Sequence, residues 1–445
     1  MEREPVRVMK RVLIISPHFP PVNAADMHRV RQSLPYFREF GWEPVVITVD
    51  EPHVESYSRD PLLLHTIPED IEIHKVKAWD VGRTRKFGLG SLSMRSYIHF
   101  KRKGDELLQR GGFDLVYFST TAFHVMALGP RWKRKFGIPF VLDIQDPWRN
   151  DFYLDKPRKE RPPKFFISYN IDKWLERKTV PHADGIISVS RGYVDVFLKR
   201  YPMMREEQFR VITFGASYHD FAVMEEYVKD VRIANLDNGK INIVYVGRGG
   251  HDMRFALEIV FKALARGMKE KPELFSRLHL WFIGTSYAPP GQGQKTIQPV
   301  AQALGVGENV TEITDRIPYF DTLFLLKKAD TLLVPGSTDT SYTASKIYPY
   351  ILAEKPLLAV FYKESSVVEV LTTVKYGQLV TFDHLAGKTD DYVGACMEAF
   401  TRILNSKQGL LALDKTAFDP YSAKRKTLDQ VELFNAVVRR FTDKR

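Results

Sequence analysis

Short apolar runs, most of them followed by a helical pattern, recur along almost the whole chain. Val, Ile and Leu occupy consecutive positions in these runs, which is typical of strands buried on both faces of a parallel sheet. Alternation of such strands with helices predicts an α/β fold with helices on both faces of each sheet. The predicted strands are residues 11–16, 44–49, 71–76, 115–119, 139–144, 185–189, 211–214, 241–246, 279–283, 310–313, 331–334, 357–361 and 378–381.

The strand–helix pattern restarts at residue 241, after a segment (235–240) with the composition of a turn. We therefore predict two doubly wound domains, an N-terminal one over residues 1–220 and a C-terminal one over 221–420. Residues 421–445 are predicted to form a terminal helix that packs back on the first domain. Ligands bind beyond the carboxyl ends of the strands in such sheets, so a site is expected in a cleft where the two domains face each other.

Composition is that of an ordinary globular protein, with 44% hydrophobic and 27% charged residues, which excludes a disordered or fibrous chain. No apolar run approaches the ~18 residues needed to span a bilayer, and residues 12–15 are too few for the core of a signal peptide. The single cysteine, Cys396, excludes an internal disulfide and any multi-cysteine metal site. We therefore expect a cytoplasmic protein, free or peripheral on the inner face of the membrane.

Positive charge is concentrated early in the chain, where residues 1–200 carry +9 of the total net charge of +11. Such a field attracts nucleic acid, anionic lipid or a phosphorylated substrate, unless it is only a solvated surface. No nucleic-acid-binding signature accompanies it, so no nucleic acid is expected as a partner. Aromatic residues beside two basic clusters would suit an anionic membrane surface, or could belong to the core. These residues are Trp132, Phe165, Phe166, Tyr169 and Trp174.

The loop after the first predicted strand is a first candidate site. Pro21, Asn23 and Asp26 lie between a strand end and a helix start, a position that favours an oxygen-rich or anionic ligand. The loop lacks the paired glycines of a dinucleotide-binding turn, which argues against a Rossmann cofactor. Asp26 could instead only cap the following helix.

The end of the fifth predicted strand offers further candidates. Asp143 and Asp146 are three residues apart where aspartate is rare, so we expect one to hold a loop and the other to face the cleft, near Trp148. His124, in a helix predicted over 122–135, could be a base, a partner of a sugar hydroxyl or a helix cap.

The second half carries three candidate segments for an anionic ligand. Glycine after the first strand lets the backbone approach a ligand, and an arginine fork suits phosphate. Hydroxyls, N–H groups and a lysine at a later helix start make an anion site, unless the serine only caps the helix and the lysine is solvated. A third helix start, after the strand at 310–313, could support a nucleobase. The residues are Gly247, Arg248, Gly249 and Arg254; Ser341, Tyr342, Thr343, Ser345 and Lys346; and Arg316, Ile317 and Pro318.

Taken in order, these segments resemble the GT-B-fold glycosyltransferases of the large retaining group 1 family, which are glycosyltransferase family 4-like. The matching pieces are RVLIISPHFPP, FGIPFVLDIQDPW, ADGIISVSRGYVDVFLKRYP, IVYVGRGG, VTEITDRIPYFDTLFLLKKADTLLVPGS and YTASKIYPYILAEKPLLAV. The resemblance implies two Rossmann-like domains that transfer a sugar from a nucleotide-diphosphate sugar with retained configuration and no bound metal or cofactor. It also implies a glycan or lipid-linked acceptor, in the synthesis of cell-surface polysaccharide or glycoconjugate.

The resemblance also implies roles for the candidate residues. The second domain would hold the donor, with Arg248 and Arg254 neutralising the leaving diphosphate, the helix start at Lys346 against the phosphates, and 316–318 around the nucleobase. The first domain would bind the acceptor through the residues of its two loops. Those are Pro21, Asn23, Asp26 and Trp148. The residues predicted to be catalytic are Arg248, Lys346, His124 and Asp146.

Two glutamates, usually eight residues apart in this family, are missing, since their positions fall on Ser341 and Pro349. Glu364 and Glu369 lie downstream and could substitute for them. The alternative is therefore a GT-B scaffold that has lost catalysis and acts as a binding or assembly partner. A sugar-nucleotide epimerase on the same fold has no distinctive motif here.

Overall fold

The computed structural model describes residues 9–55, 57–87, 89–149, 151–154, 156–162, 165–237, 239–339, 345–405 and 412–443. The chain divides into two compact units. The N-terminal unit comprises Met1–Gly215 and Ala423–Arg445, and the C-terminal unit comprises Ala216–Ser422. Each unit is built around one parallel sheet, as the alternation of strands and helices predicts.

The N-terminal unit contains a seven-stranded sheet with the order β3-β2-β1-β4-β5-β6-β7. Because the order reverses between β1 and β4, the loops after these two strands flank the position where doubly wound sheets bind ligands. The strands are β1 (Lys10–Ile15), β2 (Trp42–Val49), β3 (Glu72–Val76), β4 (Leu115–Ser119), β5 (Phe140–Ile144), β6 (Gly185–Ser188) and β7 (Phe209–Val211).

The C-terminal unit contains a six-stranded sheet with the order β10-β9-β8-β11-β12-β13, and its order reverses between β8 and β11. Its strands are almost entirely buried, as their continuous apolar sequences predict. The strands are β8 (Ile241–Val246), β9 (Leu278–Ile283), β10 (Val310–Ile313), β11 (Thr331–Pro335), β12 (Leu357–Tyr362) and β13 (Gln378–Phe382).

Helices connect the strands in both units. In chain order they are α1 (His28–Ser33), α2 (Val81–Thr84), α3 (Leu92–Arg110), α4 (Leu128–Phe136), α5 (Phe165–Thr179), α6 (Arg191–Arg200), α7 (Tyr218–Tyr227), α8 (Arg254–Glu270), α9 (Pro272–Phe275), α10 (Gln298–Ala303), α11 (Tyr319–Lys328), α12 (Ile347–Leu352), α13 (Ser366–Val374), α14 (Val393–Asn405), α15 (Lys415–Phe418) and α16 (Ala423–Thr442). Among the described residues, no helix has both the length and the apolar composition that a bilayer crossing requires.

The last helix, α16, belongs to the core of the N-terminal unit. Phe434 is fully buried, and its ring centroid lies 5.5 Å from that of Trp42 and 5.0 Å from that of Tyr117. Gln430, also buried, accepts from the Tyr117 hydroxyl and donates to Ser33 of α1. Burial of an aromatic side chain of this size stabilises the unit by roughly 3 kcal/mol.

Two sequence predictions were wrong in extent. The helical spacing of residues 26–40 predicts a single helix, but the structure has only α1 there, flanked by single 3₁₀ turns at Ala25–Met27 and Arg38–Phe40. Pro35 lies two residues beyond Ser33, the last residue of α1, and has no N–H to donate, which ends the helix here. The strand predicted at 211–214 instead occupies Phe209–Val211.

Candidate functional site

The loop after β8 brings a glycine, an arginine and a distant lysine together. Gly247 has φ 155°, and a Cβ atom there would lie 2.3 Å from Nζ of Lys346. The Lys346 amine donates to the Tyr245 hydroxyl at 2.7 Å, and that hydroxyl donates to the carbonyl of Arg248 at 2.7 Å. Only glycine therefore allows Lys346 to lie this close to the loop.

Arg248 is fixed by a two-point ion pair. Its Nη1 and Nη2 donate to Oδ1 and Oδ2 of Asp252 at 3.0 and 2.7 Å. Asp252 also accepts from the Ser337 hydroxyl at 2.5 Å, and its carbonyl accepts from the N–H of Thr338 at 2.9 Å. Burial raises the pKa of Asp252, but the hydrogen bonds from Arg248 and Ser337 outweigh it and leave the pKa below its usual value. The carboxylate is therefore ionised at neutral pH.

Lys346 has an unusual charge state. Burial lowers its pKa to about 7, and repulsion from Arg248 and Arg316 adds to the effect, while Asp252 opposes it. The three basic side chains thus share one electrostatic environment. An anion that entered it would favour the protonated amine, since a nearby opposite charge stabilises the charged form.

Arg316 follows β10, and its guanidinium lies 4.8 Å from the ring centroid of Tyr287. That ring is 72% exposed. Ile317 and Pro318 are partly buried, and Pro318 is the N-cap residue of α11. The segment therefore combines an exposed cation, an aromatic ring and a short stretch of apolar backbone.

A buried carboxylate orders the neighbouring loop. Glu312, on β10, accepts from the Thr285 hydroxyl at 2.8 Å and from the N–H groups of Thr296 and Ile297. Gly249 packs against Thr296 of this loop, since a Cβ atom on Gly249 would lie 2.9 Å from Oγ1 of Thr296. Glu312 therefore fixes the loop that faces Gly249.

Arg254 lies apart from these contacts. It is 64% exposed on α8 and pairs with Glu258, one turn along, at 2.7 Å. Its role at the donor stays a prediction. Ser345 is partly buried and immediately precedes Lys346. The other residues predicted in that segment lie outside the described residues, and they are Ser341, Tyr342 and Thr343.

In the N-terminal unit, Asp26 is the centre of a buried network rather than a helix cap. It is 4% exposed, and both carboxylate oxygens lie 2.9 Å from Nδ1 of His18. It also accepts from the Thr120 hydroxyl at 2.8 Å and the Thr121 N–H at 2.9 Å, just beyond β4. Burial raises the pKa of Asp26, but His18 and these hydrogen bonds hold it below its usual value.

The two aspartates at the end of β5 have different surroundings. Asp143 is fully buried, pairs with Arg29 at 2.8 Å and accepts from Ser119 at 2.7 Å. Asp146 keeps an exposed surface, and its pKa is raised by partial desolvation and by the charge of Asp26. Asp143 thus holds the chain together, while Asp146 remains available to a ligand.

His124 and Trp148 lie near the same strands. His124 contacts Ser93 through Nδ1 at 2.6 Å and Asp172 through Nε2 at 3.2 Å, so both ring nitrogens have partners. Trp148 is 4% exposed and stacks on Phe123 with a centroid separation of 5.7 Å. Its indole N–H has no hydrogen-bond partner in the described part of the chain.

Pro21 and Asn23 are tied to a neighbouring segment through their backbones. The carbonyl of Pro21 accepts from the N–H of Asp60 at 2.8 Å, and the N–H of Asn23 donates to the carbonyl of Ser58 at 2.9 Å. These bonds order the loop after β1, and the acceptor-binding roles of both residues stay predictions.

Three residues of this site in the C-terminal unit were not predicted from the sequence, namely Tyr245, Asp252 and Glu312. Asp252 had a signal, because opposite charges four residues apart commonly pair. Tyr245 and Glu312 lie inside apolar strand patterns and had none. Across the described ranges, no group of three or more His, Cys, Asp or Glu side chains could hold a metal ion.

Comparison with known proteins identifies one domain by sequence and the whole fold by structure. Residues 28–216 match the model of Glycosyltransferase Family 4. No curated protein sequence matches the chain significantly.

Three solved structures illustrate the likeness of fold. HepE from Anabaena, in complex with UDP and glucose, has a TM-score of 0.54 and 14% identity, over 96% of this chain and 100% of that one. The trehalose-6-phosphate synthase OtsA has a TM-score of 0.55 and 11% identity, over 96% and 99% of the two chains. WaaB, a lipopolysaccharide outer core galactosyltransferase in its apo form, has a TM-score of 0.51 and 12% identity, also over 96% and 99%.

The two units have parallel sheets of seven and six strands, and the first of them matches a sequence family of glycosyltransferases. Both findings agree with the resemblance that the sequence shows. Residues 28–216 are thus similar to Glycosyltransferase Family 4, and the chain as a whole has the GT-B fold.

Proposed function

We propose that this protein is a retaining, metal-independent glycosyltransferase that moves a sugar from a nucleoside-diphosphate sugar onto a glycan or lipid-linked acceptor. The observation that carries the proposal is the position of Lys346, whose amine donates to Tyr245 against the loop that holds Arg248. Arg316 lies near enough for its charge to lower the pKa of that amine. The loop after β8, which holds Arg248, lies at the point where the order of the sheet reverses. Ligands bind at this place in doubly wound sheets.

The chemistry follows from the charges. When the bond from the sugar to the diphosphate breaks, negative charge develops on the departing phosphate. Arg248, held in one plane by Asp252, can receive that charge without rearranging. Lys346 adds a second donor in a partly buried setting, where fixed charges act more strongly than in water. In this proposal, these side chains serve the leaving group in place of a metal ion.

A UDP-sugar is the donor we favour. HepE, which shares this fold, was solved with UDP and glucose. In this chain the exposed Tyr287 ring and the apolar stretch at Ile317 and Pro318 offer a flat support for a nucleobase, while Arg316 lies over the ring. A pyrimidine fits such a surface by stacking.

The acceptor is proposed to bind the N-terminal unit, near the loops after β1 and β5. Asp146 supports this proposal, because its raised pKa suits a carboxyl group that exchanges a proton with a hydroxyl. A role in the synthesis of surface polysaccharide or glycoconjugate would follow from such an acceptor.

Binding and turnover test the proposal separately. We expect UDP and UDP-sugars to raise the melting temperature of the chain more than GDP, ADP or dTDP do, because a ligand of the folded state stabilises it. Donor hydrolysis should persist in EDTA, and NMR of the first-formed product should show the anomeric configuration of the donor. Stabilisation by UDP without turnover, or no stabilisation by any nucleotide, would favour a scaffold that has lost catalysis.

A further inference from the structure

Helix α5 presents an apolar stripe to solvent on the side opposite its buried face. Its buried positions, Phe165, Glu176 and Thr179, recur at helical spacing. On the other side Ile167 is 62% exposed and Trp174 is 60% exposed, and the two are seven residues apart, which is almost two helical turns. Such an outward stripe has no role in the core of the unit, and it calls for a different partner.

The stripe is wider than these two residues. Ile171 lies one turn beyond Ile167 and is 37% exposed, and Phe166, on the flank, is 50% exposed. We call Phe166, Ile167, Ile171, Trp174 and the basic residues beside them the α5 surface. The basic residues are Lys173, Arg177 and Lys178.

The α5 surface is strongly cationic. Residues 156–178 contain eight Lys and Arg against three Asp and Glu. Two of the three carboxylates face inward, since Asp172 contacts His124 and Glu176 is buried against Arg200 at 2.6 Å. Within the helix, Lys173, Arg177 and Lys178 are all exposed, so the outward side of α5 carries a net positive charge.

We propose that the α5 surface binds this protein peripherally to an anionic lipid bilayer. Trp174, Ile167 and Phe166 would enter the headgroup region, where aromatic and aliphatic side chains are stable, while the flanking cations meet lipid phosphates. Arg161 adds to this pattern, because its guanidinium lies 5.1 Å from the Phe166 ring centroid. The arrangement is that of an amphipathic helix lying in the plane of the membrane.

Charge decides between a bilayer and a second copy of the chain. In a symmetric dimer the same surface meets itself, so the basic residues of the two copies would face one another and repel. An anionic bilayer instead neutralises every one of them. The proposal does not depend on the donor site, since Arg248 and Lys346 belong to the other unit.

Vesicle co-sedimentation of the full chain tests the proposal. We expect binding at low salt to vesicles of phosphatidylcholine with phosphatidylglycerol, release at about 1 M salt, where charges are screened within about 3 Å, and little binding to phosphatidylcholine alone. The triple variant Lys173→Gln/Arg177→Gln/Lys178→Gln should bind about a hundredfold more weakly, at about fivefold per cation. The triple variant Arg266→Gln/Lys269→Gln/Arg402→Gln, with the same change of charge on exposed helices of the C-terminal unit, should bind like the wild type.

The apolar stripe has its own test. Ile167→Ser/Trp174→Ser should weaken vesicle binding at least tenfold, whereas Met203→Ser/Leu385→Ser, which alters exposed apolar residues elsewhere, should not. Lipids brominated on their acyl chains should quench the tryptophan fluorescence of the wild-type protein, because Trp174 would lie within reach of the bromine atoms. The variant Trp174→Phe should lose most of that quenching. No binding to anionic vesicles at low salt would overturn the proposal, and so would equal binding to neutral vesicles. The wild-type protein could instead form a dimer in solution and fail to bind vesicles. If Ile167→Ser/Trp174→Ser abolished that dimer, the α5 surface would be assigned to contact with a second copy.

Discussion

Arg248 and Asp252 face each other through two hydrogen bonds, Nη1 to Oδ1 at 3.0 Å and Nη2 to Oδ2 at 2.7 Å. Asp252 is held in turn by Ser337, which follows β11. The pair therefore joins the loops after the two strands between which the order of the sheet reverses. A carboxylate that orients an arginine also offsets its charge, so an incoming diphosphate must share Arg248 with Asp252.

Removal of the Arg248 side chain should lower kcat for sugar transfer or donor hydrolysis by about 10²–10³-fold, the usual cost of one donor to a developing negative charge. Asp252→Asn should cost less, because the arginine remains but is less firmly oriented. Arg266→Ala is the matched control, since Arg266 also pairs with a carboxylate four residues along, Glu270, at 2.7 Å. Wild-type turnover in Arg248→Ala would remove our assignment of the donor site.

Nucleotide binding should take up a proton at Lys346. Its pKa of about 7 leaves the amine mostly neutral at pH 8 in the empty protein. A bound diphosphate raises that pKa, and the phosphates of UDP have no proton to release at pH 8 because their last pKa is near 6. Calorimetry in buffers of different ionisation enthalpy should show an uptake that approaches one proton. The uptake should vanish in Lys346→Met, and its persistence there would place the proton elsewhere.

The same lysine should cost stability. Because the pKa of Lys346 is lower in the folded protein than in the unfolded chain, the unfolded chain binds an extra proton between about pH 7 and its ordinary value of 10.5. Stability from this group therefore rises with pH across that window. Lys346→Met should raise the melting temperature most at pH 7 and progressively less toward pH 10. A lower melting temperature at pH 7 would contradict the buried, destabilised amine.

Gly247→Ala should weaken nucleotide binding without unfolding the chain. Its Cβ would lie 2.3 Å from Nζ of Lys346, which must then move away from the loop. Gly305→Ala is the control, because Gly305 also has a positive φ, 75°, but its Cβ would meet nothing within 4 Å. Alanine introduces backbone strain at both positions, because both have a positive φ. Only Gly247→Ala should lower the affinity for UDP in a titration. Equal affinities would show that the close approach of Lys346 is not needed.

Asp26→Asn should destabilise the N-terminal unit by about 1–3 kcal/mol at pH 7, since it removes a buried carboxylate that is hydrogen-bonded to His18, Thr120 and Thr121. The pKa of Asp26 is lowered in the folded protein, so its contribution is present above the ordinary value of 3.8 and is lost as the pH falls through the folded value. The difference from wild type should therefore shrink below about pH 4.

Tryptophan fluorescence can follow this transition in urea, because five of the six tryptophans lie in the N-terminal unit. Asp80→Asn provides the control, as Asp80 caps α2 at an exposed position and asparagine caps equally well. A midpoint for Asp26→Asn equal to that of Asp80→Asn would mean that the network around Asp26 adds no stability.

Most of the strands could be predicted from the sequence, because burial on both faces leaves a direct mark in consecutive Val, Ile and Leu residues. Strands β8 and β10 lie at the residues that the pattern predicts. Helix α3 was missed, since its long polar face hides the buried positions among charged residues. The helix predicted after β1 failed because Pro35 interrupts a spacing that is otherwise helical.

The sequence by itself determined the two doubly wound sheets and pointed to Arg248, Arg316 and Lys346 as cations at loop positions. Only the tertiary structure decided what surrounds them, because hydrogen bonds and desolvation depend on distances between residues that are far apart in the chain. Tyr245, on β8, accepts a hydrogen bond from Lys346, which lies about a hundred positions further along the chain. The same folding that buries Lys346 lowers its pKa to about 7, and no local pattern in the sequence records that change.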